Sequence, residues 1–95
     1  MASGIINTLR FKTVDFTLPE ATIAANSYQE WTGIDISQAG WSPIGLTRVY
    51  SNRSSAVLNG FALARSNQTA AVMVRNITNE SITLSSASIT VLYVQ

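Results

Sequence analysis

Cysteine and histidine are both absent from the 95 residues of this protein. These two absences exclude structural zinc sites of the Cys/His kind, disulfide frameworks, thiol catalysis and any histidine general base. A polypeptide of this length forms a single domain, residues 1–95, whose core needs neither a metal nor a disulfide. We therefore expect no metal site and no cofactor.

Charged residues are also scarce, at 12% of the sequence, and the formal net charge is +1. Binding to nucleic acid requires clustered positive charge, and attraction to an anionic membrane requires a polybasic segment; the sequence has neither. Polar residues interrupt every long uncharged stretch, so we expect no membrane insertion. The opening residues, MASGIINTLRFK, lack the charged and apolar regions of a secretory signal.

Motifs of catalysis are missing as well. The sequence has no glycine-rich phosphate loop, no Gly-x-Ser-x-Gly motif and no cluster with metal-ligand spacing. We predict a protein that is not an enzyme and has no catalytic residues. The alternative from another class is a polysaccharide-degrading domain, in which scattered carboxylates would have to converge in one groove. These carboxylates are Asp15, Glu20, Glu30 and Asp35.

The abundant residues are Ser, Thr, Asn, Val and Ile, a composition that suits extended sheet structure. Alternation supports this: in residues 14–18, Val14, Phe16 and Leu18 share one face, and Pro19 ends the run. Residues 21–31 fit either a strand or a short helical turn, and the strand is favoured. The alternation in residues 44–50 predicts one face that contains Ile44, Leu46, Arg48 and Tyr50.

Three segments carry apolar residues on both faces, which is typical of strands that are covered on both sides. They are residues 56–65, 70–76 and 89–94. The apolar terminal stretch, ITVLYV, fits a central strand of a sandwich or burial against other copies of the protein, and the number of two-sided strands favours both together. A change of parity between Ile82 and Ile89 predicts a bulge or turn at residues 85–88. Together with regularly spaced Asn- and Ser-rich turns, the pattern predicts an all-β fold, a small antiparallel β-sandwich that is jelly-roll-like.

Aromatic side chains beside polar residues are the candidates for ligand binding. Sugar rings stack on flat aromatic faces while amide, hydroxyl and guanidinium groups hydrogen-bond their hydroxyls, so this combination of residues suits the binding of a glycan. Since tryptophans bury a large apolar area, a core position is favoured for Trp31, and a core or subunit-interface position is favoured for Trp41. The candidate ligand-binding residues are Tyr28, Trp31, Trp41, Tyr50, Asn52 and Arg53.

The segments IDISQAGWSPIGLTRVYSN, TAAVMVRN and ITVLYV together resemble the C-terminal modules of phage tail-fibre and minor structural proteins, the receptor-binding appendages of the virion. The resemblance implies a small β-sandwich, commonly homotrimeric, which binds host glycans in some members and only trimerises or caps the fibre in others. Residues 1–20 match nothing in that family and are interpreted as an N-terminal arm, a shaft remnant or the first strand. The matching positions are Ala39, Gly40, Trp41, Pro43, Ile44, Gly45, Val72, Val74, Arg75, Asn76, Val91, Leu92 and Tyr93.

From these observations we expect a homotrimeric, non-enzymatic module on a virion appendage that contributes to host attachment. The alternative is a purely structural trimerisation, fibre-cap or capsid-decoration protein with no receptor of its own. The turn tryptophan and the apolar terminal strand are the predicted subunit interface. Its residues are Trp41, Val91, Leu92, Tyr93 and Val94.

Overall fold

A computed structural model describes residues 9–64 and 66–95, and over these residues the protein is all-β, as predicted. No helix forms within these two ranges, and hence none that is long and apolar enough to cross a membrane. The strands are β1 (Phe11–Leu18), β2 (Ala21–Ile23), β3 (Tyr28–Asp35), β4 (Ser42–Ser51), β5 (Ala56–Ala64), β6 (Thr69–Asn76), β7 (Ile82–Leu84) and β8 (Ala87–Val94).

The strands form two three-stranded antiparallel sheets and one short two-stranded pair. The first sheet has the order β1-β8-β4 and the second sheet has the order β3-β6-β5. β2 pairs with β7, so the pairing of β1 with β8 resumes beyond a short interruption in each strand. Pro19 and Glu20 separate β1 from β2, and Ser85 and Ser86 separate β7 from β8. The second interruption lies within residues 85–88, where the parity change predicts a bulge or turn.

One core lies between the two sheets, in a sandwich-like arrangement. β8 buries every second side chain, from Ala87 through Ile89 and Val91 to Tyr93. β6 buries alternate side chains against them. The apolar terminal strand is therefore the central strand of the first sheet, which confirms the first of its two predicted explanations. The remaining buried apolar residues are Leu18, Ile23, Trp31, Ile36, Ala70, Val72, Val74, Ile82 and Leu84.

Bulges in β4 overturn the predicted face of residues 44–50. The register with β8 shifts between Pro43 and Gly45 and again between Leu46 and Arg48. Each shift inserts one residue and moves the following side chains to the opposite face. As a result Leu46 and Val49 both pack against the core, whereas Ile44, Arg48 and Tyr50 are exposed.

Within the protomer, β5 is not covered on both faces. Val57 is 39% exposed and Leu58 is 46% exposed. Val57 pairs with exposed Arg75 and faces outward. Leu58 pairs with core-facing Val74 but stays exposed, because β5 is an edge strand and this position lies at the margin of the core.

From the sequence, residues 1–20 are interpreted as an N-terminal arm, a shaft remnant or the first strand. Residues 11–18 form β1, so the third interpretation holds for them. Residues 1–8 lie outside the described residues.

Candidate functional site

The six candidate ligand-binding residues do not form one site. Trp41 directly precedes Ser42, which pairs with Val94, whereas Tyr50 pairs with Ser88 near the other end of β8. Six residues of strand separate these positions, or about 20 Å. Tyr28 lies on the second sheet, paired with Arg75 and exposed. The sequence could not indicate this separation because only the strand register places the residues.

Trp41 closes one end of the core. Its backbone N–H donates to the Gln38 carbonyl at 2.9 Å, in a turn where Gly40 adopts a left-handed φ of 80°. The ring packs against the core cluster, and the ammonium group of Lys12 lies 4.7 Å from the ring centroid. A residue of the same protomer therefore covers one face of the ring, which explains a half-buried tryptophan in a turn.

Two of the predicted interface residues belong instead to the interior of the protomer. Val91 and Tyr93 are fully buried between the sheets, so their side chains offer no surface to another copy. The Tyr93 hydroxyl donates a hydrogen bond to the Ile36 carbonyl oxygen. Burial, with a further contribution from the charge of Asp35, raises the pKa of the Tyr93 phenol. Hydrogen bonds from the hydroxyl and backbone N–H of Ser37 lower the pKa of the Asp35 carboxyl.

The other face of β8 carries an apolar patch on the outside of the first sheet. Leu92 and Val94 alternate with the buried residues and are only partly covered. Phe11 of β1 pairs with Val94 and is 55% exposed. On the opposite side of β8, Ile44 is the extra residue of a bulge at Leu92 and is 40% exposed. Phe11, Ile44, Leu92 and Val94 are called the outer patch below.

The same outer face becomes polar along β8. Asp15 and Arg48 both pair with Thr90, one from β1 and the other from β4. The Thr90 hydroxyl donates to Asp15 Oδ1 at 2.6 Å, and the Arg48 guanidinium carbon lies 5.2 Å from the centroid of the Tyr50 ring. The outer face of the first sheet thus combines an apolar end with one carboxylate and one guanidinium.

A groove opens between the edge strands β1 and β3, and it is called the Trp31 groove below. Its volume is about 440 Å³, within the range of small-ligand sites. The indole N–H of Trp31 donates to the Pro19 carbonyl at 3.2 Å, which holds the ring in the wall of the groove and leaves it 7% exposed. The lining residues are Thr17, Leu18, Pro19, Glu30, Trp31, Thr32 and Ile34.

The chemistry of the Trp31 groove is an apolar floor with a polar rim. Leu18, Pro19, Trp31 and Ile34 provide the apolar surface. The side chains of Thr17, Thr32 and Glu30 are exposed and provide two hydroxyls and a carboxylate. Trp31 and Leu18 are themselves buried, at 7% and 4% exposure, so the accessible apolar surface of the groove comes mainly from Pro19 and Ile34. Glu30 and Thr32 were not assigned this role by the sequence, because β1 and β3 meet only in the folded protein.

The side chain of Asn52 has a structural role, because its amide group is already hydrogen-bonded within the protein. Its side-chain oxygen accepts hydrogen bonds from the backbone N–H groups of Ser85 and Ser86, at 3.1 and 3.2 Å. Its amide nitrogen donates to the Ser85 hydroxyl at 3.1 Å. The side chain thereby ties the β4–β5 loop to the interruption between β7 and β8. Arg53 beside it is exposed.

The residue that sequence reasoning missed is Asn76, which is fully buried. Its amide nitrogen donates to the carbonyls of Ile23, Ala24 and Glu80, at 3.1, 3.1 and 2.8 Å. Its side-chain oxygen accepts from the backbone N–H and the hydroxyl of Thr78. Asn76 therefore holds two loops at one end of the sandwich. The sequence does carry a signal for this role: Asn76 begins the Asn- and Ser-containing segment NITNES, and asparagine side chains in turns commonly hydrogen-bond the backbone two residues farther along the chain.

Within residues 9–64 and 66–95, no group of three or more metal-ligating side chains comes together. The carboxylates of the hydrolase alternative are spread over different surfaces: Asp15 is on the outer face of the first sheet, and Glu30 is at the Trp31 groove. No family model, curated protein or solved structure matches the sequence or the fold. The likeness to tail-fibre modules stays a prediction that rests on the segments quoted above.

Proposed function

We propose that this protein is a non-enzymatic, self-associating module of a tail-fibre-like virion appendage, a homotrimer that contributes to host-surface attachment. The observation that carries the proposal is the outer patch. Four apolar side chains from three adjacent strands lie together on the surface of one protomer, and contiguous exposed apolar surface of this kind marks interaction sites.

Charge on the same face supports contact between identical copies. Asp15 and Arg48 flank Thr90, so the face carries one charge of each sign. Two copies of such a face can oppose each carboxylate to a guanidinium, whereas a face of single sign would repel itself. The charges favour one relative orientation of the two copies. The apolar side chains of the outer patch supply the larger part of the free energy of association.

The strand pairing supports the jelly-roll-like class. β1 pairs with β8, β2 with β7 and β3 with β6, a nested series like that produced by folding one long hairpin over itself. Eight-stranded jelly rolls are built from two Greek keys and are common in viral capsid and lectin domains. This is an argument by fold analogy, and it favours a virion or lectin-like role over catalysis.

Sedimentation equilibrium tests self-association. We expect the wild-type protein to be a trimer at micromolar concentration and Phe11→Lys to be a monomer, because the lysine places a charge in the outer patch. Phe11 lies on an edge strand and is already exposed, so the protomer tolerates the change. Ile77→Lys is the matched control: Ile77 is 56% exposed but lies outside the strands. A monomeric wild type, or a trimer that Phe11→Lys leaves intact, contradicts the proposal.

The Trp31 groove favours glycan binding as the means of attachment. A glycan array with the wild-type protein and with Glu30→Gln tests it, since Glu30 is exposed at the rim and its replacement keeps the shape of the side chain. We expect binding that Glu30→Gln weakens and that Tyr50→Ala, on the other sheet, leaves unchanged. Absence of any bound glycan would favour the alternative of a purely structural trimerisation, fibre-cap or capsid-decoration module.

A further inference from the structure

One asparagine of this protein is followed by glycine, at Asn59–Gly60. The pair lies within β5, an edge strand, at a point where the register with β6 is broken. Leu58 pairs with Val74 and Gly60 with Met73, so Asn59 is the extra residue of a β-bulge. Its side chain is exposed.

The other asparagine side chains in the described ranges have stronger partners. Asn76 and Asn52 each make several hydrogen bonds to backbone groups. Asn26 donates to Asn79 at 3.0 Å, and Asn67 accepts from the Thr69 hydroxyl at 2.9 Å. The amide of Asn59 donates to the sulfur of Met73, at 3.3 Å, and a thioether is a weak acceptor.

We propose that Asn59 is a self-modification site, which deamidates through a cyclic imide formed with Gly60. The backbone nitrogen of Gly60 attacks Cγ of Asn59. A new bond between these two atoms closes the five-membered ring, the bond between Cγ and the amide nitrogen Nδ2 breaks, and the proton of the Gly60 nitrogen leaves with Nδ2 as ammonia. Water then opens the ring at either carbonyl, which yields aspartate or isoaspartate. Solvent water is the co-reactant.

Two features of the local structure favour ring closure. Gly60 has no Cβ, so the attacking nitrogen is unhindered and the backbone reaches conformations closed to other residues. A regular strand holds the following nitrogen turned away from Cγ, but a bulge disrupts the ladder and bends the backbone at this residue. An edge strand also opens more readily than a central one, because it has a ladder on one side only.

The product alters the outer face of the second sheet. Asn59 contacts Met73, which pairs with Glu30 on its other side, so aspartate adds a second negative charge to this surface, two strands away from the Glu30 carboxylate. Isoaspartate inserts an additional backbone carbon into β5. We expect it to loosen the pairing of Gly60–Ala64 with β6, because each residue beyond the insertion is displaced along the strand.

The test follows the intact folded protein at neutral pH by peptide mapping and mass spectrometry over time. We expect the peptide that contains Asn59 to gain a carboxyl group as a mixture of aspartyl and isoaspartyl forms, several-fold faster than Asn79 or Asn52. Gly60→Ala should slow the reaction several-fold. The substitution fits the fold, because Gly60 has no left-handed φ and the nearest described atom to an added Cβ would be Met73 Cβ, at 3.8 Å.

Two comparisons of rates in the folded protein would overturn the proposal, and a comparison with a peptide gives a third test. One is conversion of Asn59 at the same rate as Asn79, and the other is an unchanged rate in folded Gly60→Ala protein. A synthetic peptide of residues 55–64 measures the rate without the fold. If the peptide reacts while the folded protein does not, the bulge protects Asn59 and the inference is wrong.

Discussion

The ammonium group of Lys12 lies over the ring of Trp41, 4.7 Å from its centroid, and donates a hydrogen bond to the Gln38 side-chain oxygen at 3.0 Å. It also lies 5.8 Å from the centroid of the buried Tyr93 ring. The first strand and the β3–β4 turn therefore meet at one end of the core. This contact gives the turn tryptophan a packing role within the protomer.

A double-mutant cycle on this contact measures its strength. Lys12→Met removes the charge and keeps most of the apolar stem, and Trp41→Leu removes the aromatic face. We expect a coupling free energy of about 0.5–1 kcal/mol from urea unfolding, the magnitude of a cation–π pair near the surface. Additive effects of the two substitutions would show that Lys12 only lies near the ring and does not stabilise it.

Asn76→Ala should destabilise the fold strongly. It removes the donor to three carbonyls and the acceptor for Thr78 in a fully buried position. Since each buried polar group left without a partner costs about 1–3 kcal/mol, we expect a loss of about 3 kcal/mol or more. Asn79→Ala is the control, because Asn79 is exposed and its side chain accepts one hydrogen bond from Asn26. Equal midpoints of thermal unfolding for the two variants would contradict the prediction.

Stability at high pH should depend on Tyr93. Because burial raises the pKa of this phenol, the unfolded protein releases the proton at a lower pH than the folded protein. The protonated phenol contributes to the free energy of unfolding in full below the pKa of the unfolded state, about 10. This contribution is lost as pH rises through the higher pKa of the folded state. Tyr93→Phe should be less stable at neutral pH, because the Ile36 carbonyl loses its donor, yet its stability should fall less between neutral and strongly alkaline pH. Parallel pH profiles for wild type and variant would refute this.

Gly33→Ala tests backbone conformation rather than packing. Gly33 has a left-handed φ of 63° in the bulge of β3, and an added Cβ would meet no described atom within 4 Å. The expected cost is about 1 kcal/mol, from the backbone alone. Gly45→Ala is matched to it, since Gly45 has similar space around it but no left-handed φ. We expect chemical denaturation to show a loss for the first variant only, and a similar loss in both would point to another cause.

Much of the secondary structure is predictable because the alternation of apolar residues is a local property. Val14, Phe16 and Leu18 do face the core, and Pro19 does end β1. The parity change before Ile89 correctly indicates a break in the terminal segment. The bulges of β4 were not predictable, since nothing in residues 44–50 shows where the register with a distant strand shifts.

The candidate sites depended much more on tertiary structure. Tyr28 and Trp41 are both aromatic and both lie near turns, yet one is exposed on a sheet face and the other covers an end of the core. The Trp31 groove is lined by residues of β1 and β3, edge strands of different sheets, so it forms only when the two sheets pack together. Asn76 is an ordinary turn asparagine in the sequence, and its five hydrogen bonds include partners more than fifty positions away.

Composition and period-two alternation are sufficient to predict the all-β class, the break before the terminal strand and the lack of cysteine and histidine chemistry. Each of these conclusions depends on residues close together in the sequence. The packing of the two sheets was needed to establish that Val91 and Tyr93 face the core while Leu92 and Val94 face outward. A strand with apolar residues on both faces has two possible orientations, and the sheet packed against it selects one.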